Sequence, residues 1–264
     1  MAAPGKVFVV IPAYNEEQNL PLLLPHIGNV LRKAGREFQI IVVNDGSRDN
    51  TRAVAESLAA SLAVRVISHP TNLGVGKVFL TGLRAAAESA QPNDIIALLE
   101  ADSTNDPELL PEMIRCIDAG DDVVIGSRYQ KGGRYHKFPP KRLVLSLIAN
   151  AGVRTLFPIR GAKDYTIFYR TYRAAVLQRG FALFGDKLIE TRTFVCNAEL
   201  LIKLNHASPL RVGEVPLVYR YDLKKGKSKM PIKRTIREYV SFVRQARRTL
   251  RQTPTHEPQV AKSL

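Results

Sequence analysis

The sequence predicts an α/β fold, a mostly parallel sheet flanked by helices on both faces, and three observations lead there. Short apolar runs rich in β-branched residues alternate with helical patterns through the first 126 residues. The runs are continuously apolar, as strands covered on both faces are. Most of the chemically distinctive residues fall in the loops that follow the runs, where open parallel sheets bind their ligands.

Taken in order, strands are expected at 7–11, 39–43, 64–68, 94–100 and 122–126, with helices at 16–34, 50–61, 75–89 and 107–118. The third helix follows a Gly-rich turn, and the fourth has Pro107 at its first position, where a missing N–H costs nothing. The ligand-side loops are 12–17, 44–49, 71–77 and 100–106. After Gly126 the alternation ends. A Lys/Gly/Pro-rich loop (130–140) leads to an amphipathic segment at 141–157, a strand-like stretch at 164–170, a helix near 194–205 and a strand at 210–220. A lysine-rich loop (222–230) then precedes a basic amphipathic helix at 231–251 and a tail at 252–264. The expected organisation is one domain over 1–230, with halves 1–126 and 127–230, followed by that helix and tail.

A chain of 264 residues with 45% hydrophobic content supports a sizeable core. Cys116 and Cys196 lie in apolar segments without metal-ligand spacing and read as reduced, packed thiols. No stretch approaches the roughly 20 apolar residues of a membrane span, and the start carries no leader-like run, so a cytoplasmic location is expected. The net charge of +15 is uneven. Residues 1–120 hold 10 Lys/Arg against 14 Asp/Glu, and residues 121–264 hold 29 against 10. That asymmetry calls for an anionic partner, nucleic acid or a membrane surface. With no helix-turn-helix, zinc-finger spacing or basic–aromatic motif, nucleic acid is not expected.

Gly74-Val75-Gly76-Lys77 suggests a phosphate loop but fits neither phosphate motif. A P-loop needs glycine where Thr71 stands, and the dinucleotide fingerprint needs one where Phe79 stands. Lys77 is kept as a candidate phosphate contact. Glu100-Ala101-Asp102 is more telling, because the pleat of a strand end would aim both carboxylates to one side. Such a pair suits a hard divalent cation bridging a diphosphate, although an N-cap or solvated turn explains an isolated acidic pair. Asp45, in Asn44-Asp45-Gly46-Ser47, also follows an apolar strand, and there an Asx-turn or helix cap is the plain alternative.

Together these residues resemble the inverting family 2 glycosyltransferases with the GT-A fold. The motifs are 11–17 (Ile-Pro-Ala-Tyr-Asn-Glu-Glu), 43–47 with 49–51, and the acids at 100 and 102. The resemblance implies nucleotide contacts from Pro12, Tyr14, Glu16 and Asp45, and a Mg²⁺ or Mn²⁺ ion held by Asp102 with Glu100. A narrower likeness runs through Gly126-Ser127-Arg128-Tyr129, Arg142, Ser146 to Asn150, Asp164-Tyr165-Thr166, Glu199, Glu214-Val215-Pro216 and Gly226 to Lys229. These are similar to the dolichol-phosphate (polyprenyl-phosphate) mannose synthase branch. The likeness covers about residues 7–230 and implies a lipid-phosphate acceptor met by Arg128, Arg142 and Ser146. It implies GDP-mannose as the first candidate donor and UDP-glucose as the next. Three departures stand out: Glu100 replaces an aspartate, 103–106 lacks a Gln-type third ligand, and Ile167-Phe168-Tyr169 replaces Ser-Gly-Phe.

An independent chemical argument favours a phosphate acceptor. A hydroxyl must be deprotonated by a nearby base, whereas a phosphate monoester, with a second pKa near ~6, is already anionic. Relatives that use hydroxyls supply a Glu-Asp pair, but here Leu200 follows Glu199. Arginines suit a phosphate, and Lys227 and Lys229 could join them from a closing loop. Transfer to a glycan or small-molecule hydroxyl, or a non-catalytic basic binding role, are the alternatives the sequence leaves open. In the last helix Ile232, Ile236, Tyr239, Val243 and Leu250, widened by Val240 and Ala246, form an apolar stripe among arginines. This predicts peripheral docking on an anionic cytoplasmic leaflet, or on a membrane partner subunit, against the plainer expectation that the stripe packs on the core.

Overall fold

The computed structural model describes residues 4–223 and 232–252. Five parallel or near-continuous apolar runs become strands of one sheet: β1 (Val7–Ala13), β2 (Phe38–Asn44), β3 (Val64–Ser68), β4 (Ile95–Leu98) and β5 (Val123–Ser127). Between them run α1 (Leu20–Lys33), α2 (Thr51–Leu58), α3 (Val75–Ser89) and α4 (Leu110–Asp118), the last entered through a 3₁₀ turn at Pro107–Leu109. The second half adds β6 (Arg134–His136), α5 (Pro140–Leu156), β7 (Arg170–Arg173), α6 (Ala174–Phe184), α7 (Cys196–Ala207), β8 (Val212–Pro216), β9 (Val218–Arg220) and α8 (Ile232–Gln252).

The main sheet has the order β3-β2-β1-β4-β7-β5-β8. All its pairings are parallel except those of β7, which lies antiparallel between β4 and β5. The α/β class is therefore as predicted, with four local differences, the first being that β6 lies within the stretch expected as a loop at 130–140. The strand expected at 164–170 begins only at Arg170. Before it, Tyr165, Ile167, Phe168 and Tyr169 are buried in loop conformation, and Arg170 ties the start of this loop to α7 by donating to the carbonyls of Tyr165 at 2.9 Å and Asn197 at 2.7 Å. The strand expected at 210–220 is two strands, β8 on β5 and β9 on β6 in a second small sheet. Pro216, without an N–H, ends the first ladder where the chain changes sheets. Helix α6 falls in a stretch for which no element was expected.

In α8 the buried residues are Thr235, Phe242 and Ala246, with Tyr239, Val243 and Leu250 partly covered. Ile236 and Val240, expected in the same stripe, are 46% and 49% exposed. The helix packs on α5 and α7, and Phe157 meets Phe242 with centroids 6.1 Å apart. No described helix is long and apolar enough to cross a membrane.

Close approach of α3 to the sheet depends on Gly82, where a Cβ would stand 2.4 Å from Val10 Cγ1 and 2.9 Å from Val43 Cγ2. Valine tips are stiff, so the helix must shift to admit even one methyl group. Gly82→Ala should therefore cost about 1–3 kcal/mol of stability, read as a lower urea midpoint at unchanged slope.

Candidate active site

The first three ligand-side loops are stitched to one another by side chains. Asn15, with φ +54°, turns the chain after β1, and its N–H donates to Ser47 Oγ at 3.0 Å while Arg48 N–H donates to Asn15 Oδ1 at 2.9 Å. Glu16 N–H donates to Thr51 Oγ1 at 2.7 Å, and Asn19 Nδ2 donates to the Glu16 carboxylate at 2.6 Å. Asp49 accepts from Glu17 and Thr51. Burial works to raise its carboxyl, but the bonds from Thr51 and Glu17 outweigh that and hold it below the ordinary range. Asp45 is buried and pins the next loop: Oδ1 accepts from Leu73 N–H at 2.9 Å and pairs with His69 Nδ1 at 2.9 Å, while Oδ2 accepts from Gly74 N–H at 3.0 Å.

Strand β4 stops at Leu98, so Glu100 and Asp102 sit on a turn and not on a pleat. Ser103, at φ +61°, bends that turn back. Asp102 Oδ1 accepts from Thr104 Oγ1 at 2.6 Å, and Asn105 Nδ2 donates to Glu100 Oε2 at 3.3 Å. Strand β9 lays Tyr219 alongside. Burial first, then the charges of Glu100 and Asp102, push its hydroxyl well above its usual range, so it stays neutral. Among the described residues no group of three or more His, Cys, Asp or Glu gathers for a metal. Two hard carboxylates in one cavity nevertheless fit an ion such as Mg²⁺, which keeps several waters and substrate phosphates as ligands.

Pro12, Tyr14, Glu16, Asp45, Glu100, Asp102, Arg128, Arg142 and Ser146 all line one cavity of about 860 Å³. Where the cavity meets α5, Arg128 is buried, and its guanidinium is already committed. Nε and Nη2 donate to the two oxygens of Asp164, both at 2.7 Å, and Nη2 also reaches Thr166 Oγ1 at 2.6 Å. Burial would raise the Asp164 carboxyl, yet the Arg128 charge and its hydrogen bonds hold it below the ordinary range. Arg142 is half-buried and donates to Tyr221 Oη at 3.3 Å. Ser146 Oγ lies 3.1 Å from Tyr135 Oη, which in turn lies 3.1 Å from Tyr129 Oη. Beyond them the cavity continues as an apolar groove between α5 and α8, walled by residues such as Leu145, Ile148, Leu156, Ile236 and Val240.

Lys77 is not brought to this cavity. Val75, Val78 and Phe79 take the inward face of α3, and Lys77 points out to a shallow depression with Thr81, Arg84 and Glu88. Lys227 and Lys229 lie outside the described residues. Residues that sequence reasoning gave no site role also border the cavity: Arg192, Thr193, Phe194, Arg234 and Arg244, together with Thr166 of the Asp164-Tyr165-Thr166 motif. Arg234 and Arg244 stood out only as part of a basic helix face. Arg192 to Phe194 sit in an irregular segment with no local signal.

A family model described as "Glycosyl transferase family 2" matches residues 8–192. The chain is 38% identical over 176 residues to the polyprenol monophosphomannose synthase of Mycolicibacterium smegmatis, spanning 66% of this chain and 64% of that protein. It is 33% identical over 241 residues to the dolichol-phosphate mannosyltransferase of Pyrococcus furiosus, spanning 90% and 62% respectively. The matches thus span less than two thirds of the length of both relatives. The undecaprenyl-phosphate mannosyltransferase of Micrococcus luteus is 31% identical over 226 residues, 85% of this chain and 87% of that one. Among solved structures, glucosyl-3-phosphoglycerate synthase from Mycobacterium tuberculosis, in complex with Mn²⁺, UDP and glucosyl-3-phosphoglycerate, superposes with a TM-score of 0.61 at 17% identity, over 96% of this chain and 82% of that one. That likeness is one of fold.

Removing one member of a buried ion pair strands the other charge. Asp164→Asn should cost about 3–5 kcal/mol, measured by chemical denaturation at neutral pH. Because the folded carboxyl titrates below its unfolded value, the pair's contribution is complete above the unfolded pKa and is lost as pH falls through the folded one. The gap between wild type and variant should therefore close on acidification below about pH 4.

Proposed function

Because the chain belongs to glycosyl transferase family 2, we propose that it transfers a hexose, mannose before glucose, from a nucleoside-diphosphate sugar to a polyprenyl phosphate with inversion. One observation carries this reading: a single cavity joins an acidic end, at the carboxyl ends of β1, β2 and β4, to an arginine-bordered end that opens into an apolar groove. A sugar nucleotide suits the first part, and a phosphate with a long hydrocarbon tail suits the second. The three relatives, each named for mannose transfer to a polyprenyl, dolichyl or undecaprenyl carrier, favour the same pair of substrates.

In this reading Pro12, Tyr14, Glu16 and Asp45 hold the nucleotide, GDP-mannose before UDP-glucose. Glu100 and Asp102 hold a divalent cation, Mg²⁺ or Mn²⁺. That ion supplies charge neutralisation for the departing diphosphate. Arg142 and Ser146 orient the acceptor phosphate, and Arg128, neutralised by Asp164, shapes the floor beneath it. An acceptor oxygen attacks the anomeric carbon as the bond to the donor diphosphate breaks. No proton has to be removed, which suits the surroundings of Glu199. That acid is buried and spends its carboxylate on Lys203 at 2.6 Å and on the N–H groups of Glu190 and Thr191, so it is no base for a hydroxyl acceptor.

The assay incubates protein, Mg²⁺ or Mn²⁺ and polyprenyl phosphate with labelled GDP-mannose or UDP-glucose, and counts label in the organic phase. Transfer should vanish in chelator and in Asp102→Ala, whose fold is checked by circular dichroism. Full activity in chelator would overturn the metal assignment. Arg142→Ala should lose about tenfold to hundredfold in kcat/KM for the lipid phosphate while nucleotide affinity holds.

The groove also bears on location. Val144, Leu147 and Ile148 on α5 and Ile236 and Val240 on α8 are exposed, and Arg234, Arg237 and Arg244 stand among the latter. This supports docking on the anionic cytoplasmic face of a membrane, where each basic residue contributes about 1 kcal/mol. The protein should pellet with phosphatidylserine-containing vesicles at low salt and release at high salt. Pelleting unchanged on removal of residues 231–264, or absent altogether, would point to a membrane partner subunit or a purely structural helix.

A further inference from the structure

The irregular segment after α6 forms one wall of the cavity through Arg192, Thr193 and Phe194. It has no ladder or helix to satisfy its backbone, and two carboxylates do so instead. Glu199 accepts from the N–H groups of Glu190 at 3.1 Å and Thr191 at 2.9 Å. Glu238 accepts from the next two, Arg192 at 3.2 Å and Thr193 at 2.8 Å. Glu199 comes from the buried core of α7, whereas Glu238 comes from α8, where it is the one acid in a helix otherwise basic or neutral. On its other side the segment touches the donor loop. A Cβ at Gly76 would lie 1.8 Å from the Thr191 carbonyl oxygen, and one at Gly74, where φ is +92°, 2.9 Å from that of Arg192.

From this arrangement, and resting on the transfer reaction proposed above, we infer that Glu238 is a positioning residue that latches α8 to the cavity wall and so completes the acceptor groove. One helical turn before it, Arg234 borders the cavity, and Tyr239 and Val240 follow directly after it. Seating the Glu238 carboxylate on two adjacent amides fixes both the height and the rotation of the helix that bears it. The donor loop does not need this latch, because Asp45 holds Leu73 and Gly74 independently. The larger effect of Glu238 therefore falls on the acceptor.

Residue-resolved amide exchange and steady-state kinetics on the full chain test this. In Glu238→Ala the Arg192 and Thr193 amides should exchange about tenfold to hundredfold faster, while Glu190 and Thr191, held by Glu199, keep wild-type rates. The KM for polyprenyl phosphate should rise about tenfold or more, with the KM for the sugar nucleotide changed less than twofold. Glu238→Gln, which keeps one accepting oxygen, should fall between, and it serves if the alanine variant does not fold. Unchanged exchange at 192–193, or an equal rise across 190–193, overturns the latch. Faster exchange with an unchanged acceptor KM overturns its positioning role. Absence of mannosyl transfer by the wild type overturns the reaction alone, since the exchange measurement needs no substrate.

Discussion

A guanidinium buried at the carboxyl end of β5 must be met by a full negative charge, and Asp164 meets Arg128 on two nitrogens at 2.7 Å each. Much of the second half of the chain follows from that pairing. It anchors the 164–169 loop under the cavity, and Arg170 then ties the same loop to α7 through the carbonyl of Asn197. Glu214 of β8 closes the arrangement by accepting from the N–H of Asp164 at 2.9 Å. The Arg128 side chain lies 4.8 Å from the Tyr135 ring centroid, so the pair also seats the small second sheet. A charge that a sequence suggests is aimed at substrate turns out to serve the frame as well.

The same economy recurs around the cavity. Asp45, Asp49, Glu199, Glu214 and Glu238 each accept backbone N–H groups from a loop that is not their own. Irregular backbone lining a cavity has no ladder to join, and a buried N–H without an acceptor is costly. Carboxylates supply strong acceptors. The acidic character of the ligand face therefore has a structural origin as well as a chemical one.

Elements whose signal is local were legible in the sequence. Strands β1 to β5 follow from apolar runs of the right length, and α5 from its amphipathic pattern. Asp45 was recognisable as a residue of the ligand face, but its partners were not, because Leu73 and Gly74 lie 28 and 29 residues further on. Lys77 was misplaced because composition alone does not fix which face of α3 turns inward. Strand β7 was displaced because the aromatic run before it has the composition of a strand and the geometry of a loop. The packing face of α8 was read from apolar residues, whereas burial of Thr235 and the bonds of Glu238 rotate it away from Ile236 and Val240. The fold rested on patterns, the site on long-range hydrogen bonds that no local window contains.

The antiparallel insertion of β7 has a consequence for modularity. Its residues hydrogen-bond β4 on one edge and β5 on the other, with Tyr172 opposite both Ile96 and Val123. A strand from the second half of the chain is therefore interleaved with strands of the first. Neither half can close its sheet without the other, although a boundary near residue 126 divides the motifs cleanly along the chain. Chimeras that graft one relative's first half onto another's second half would have to match side chains across the whole β4–β7–β5 seam. In such a scaffold the two halves cannot be exchanged as cassettes.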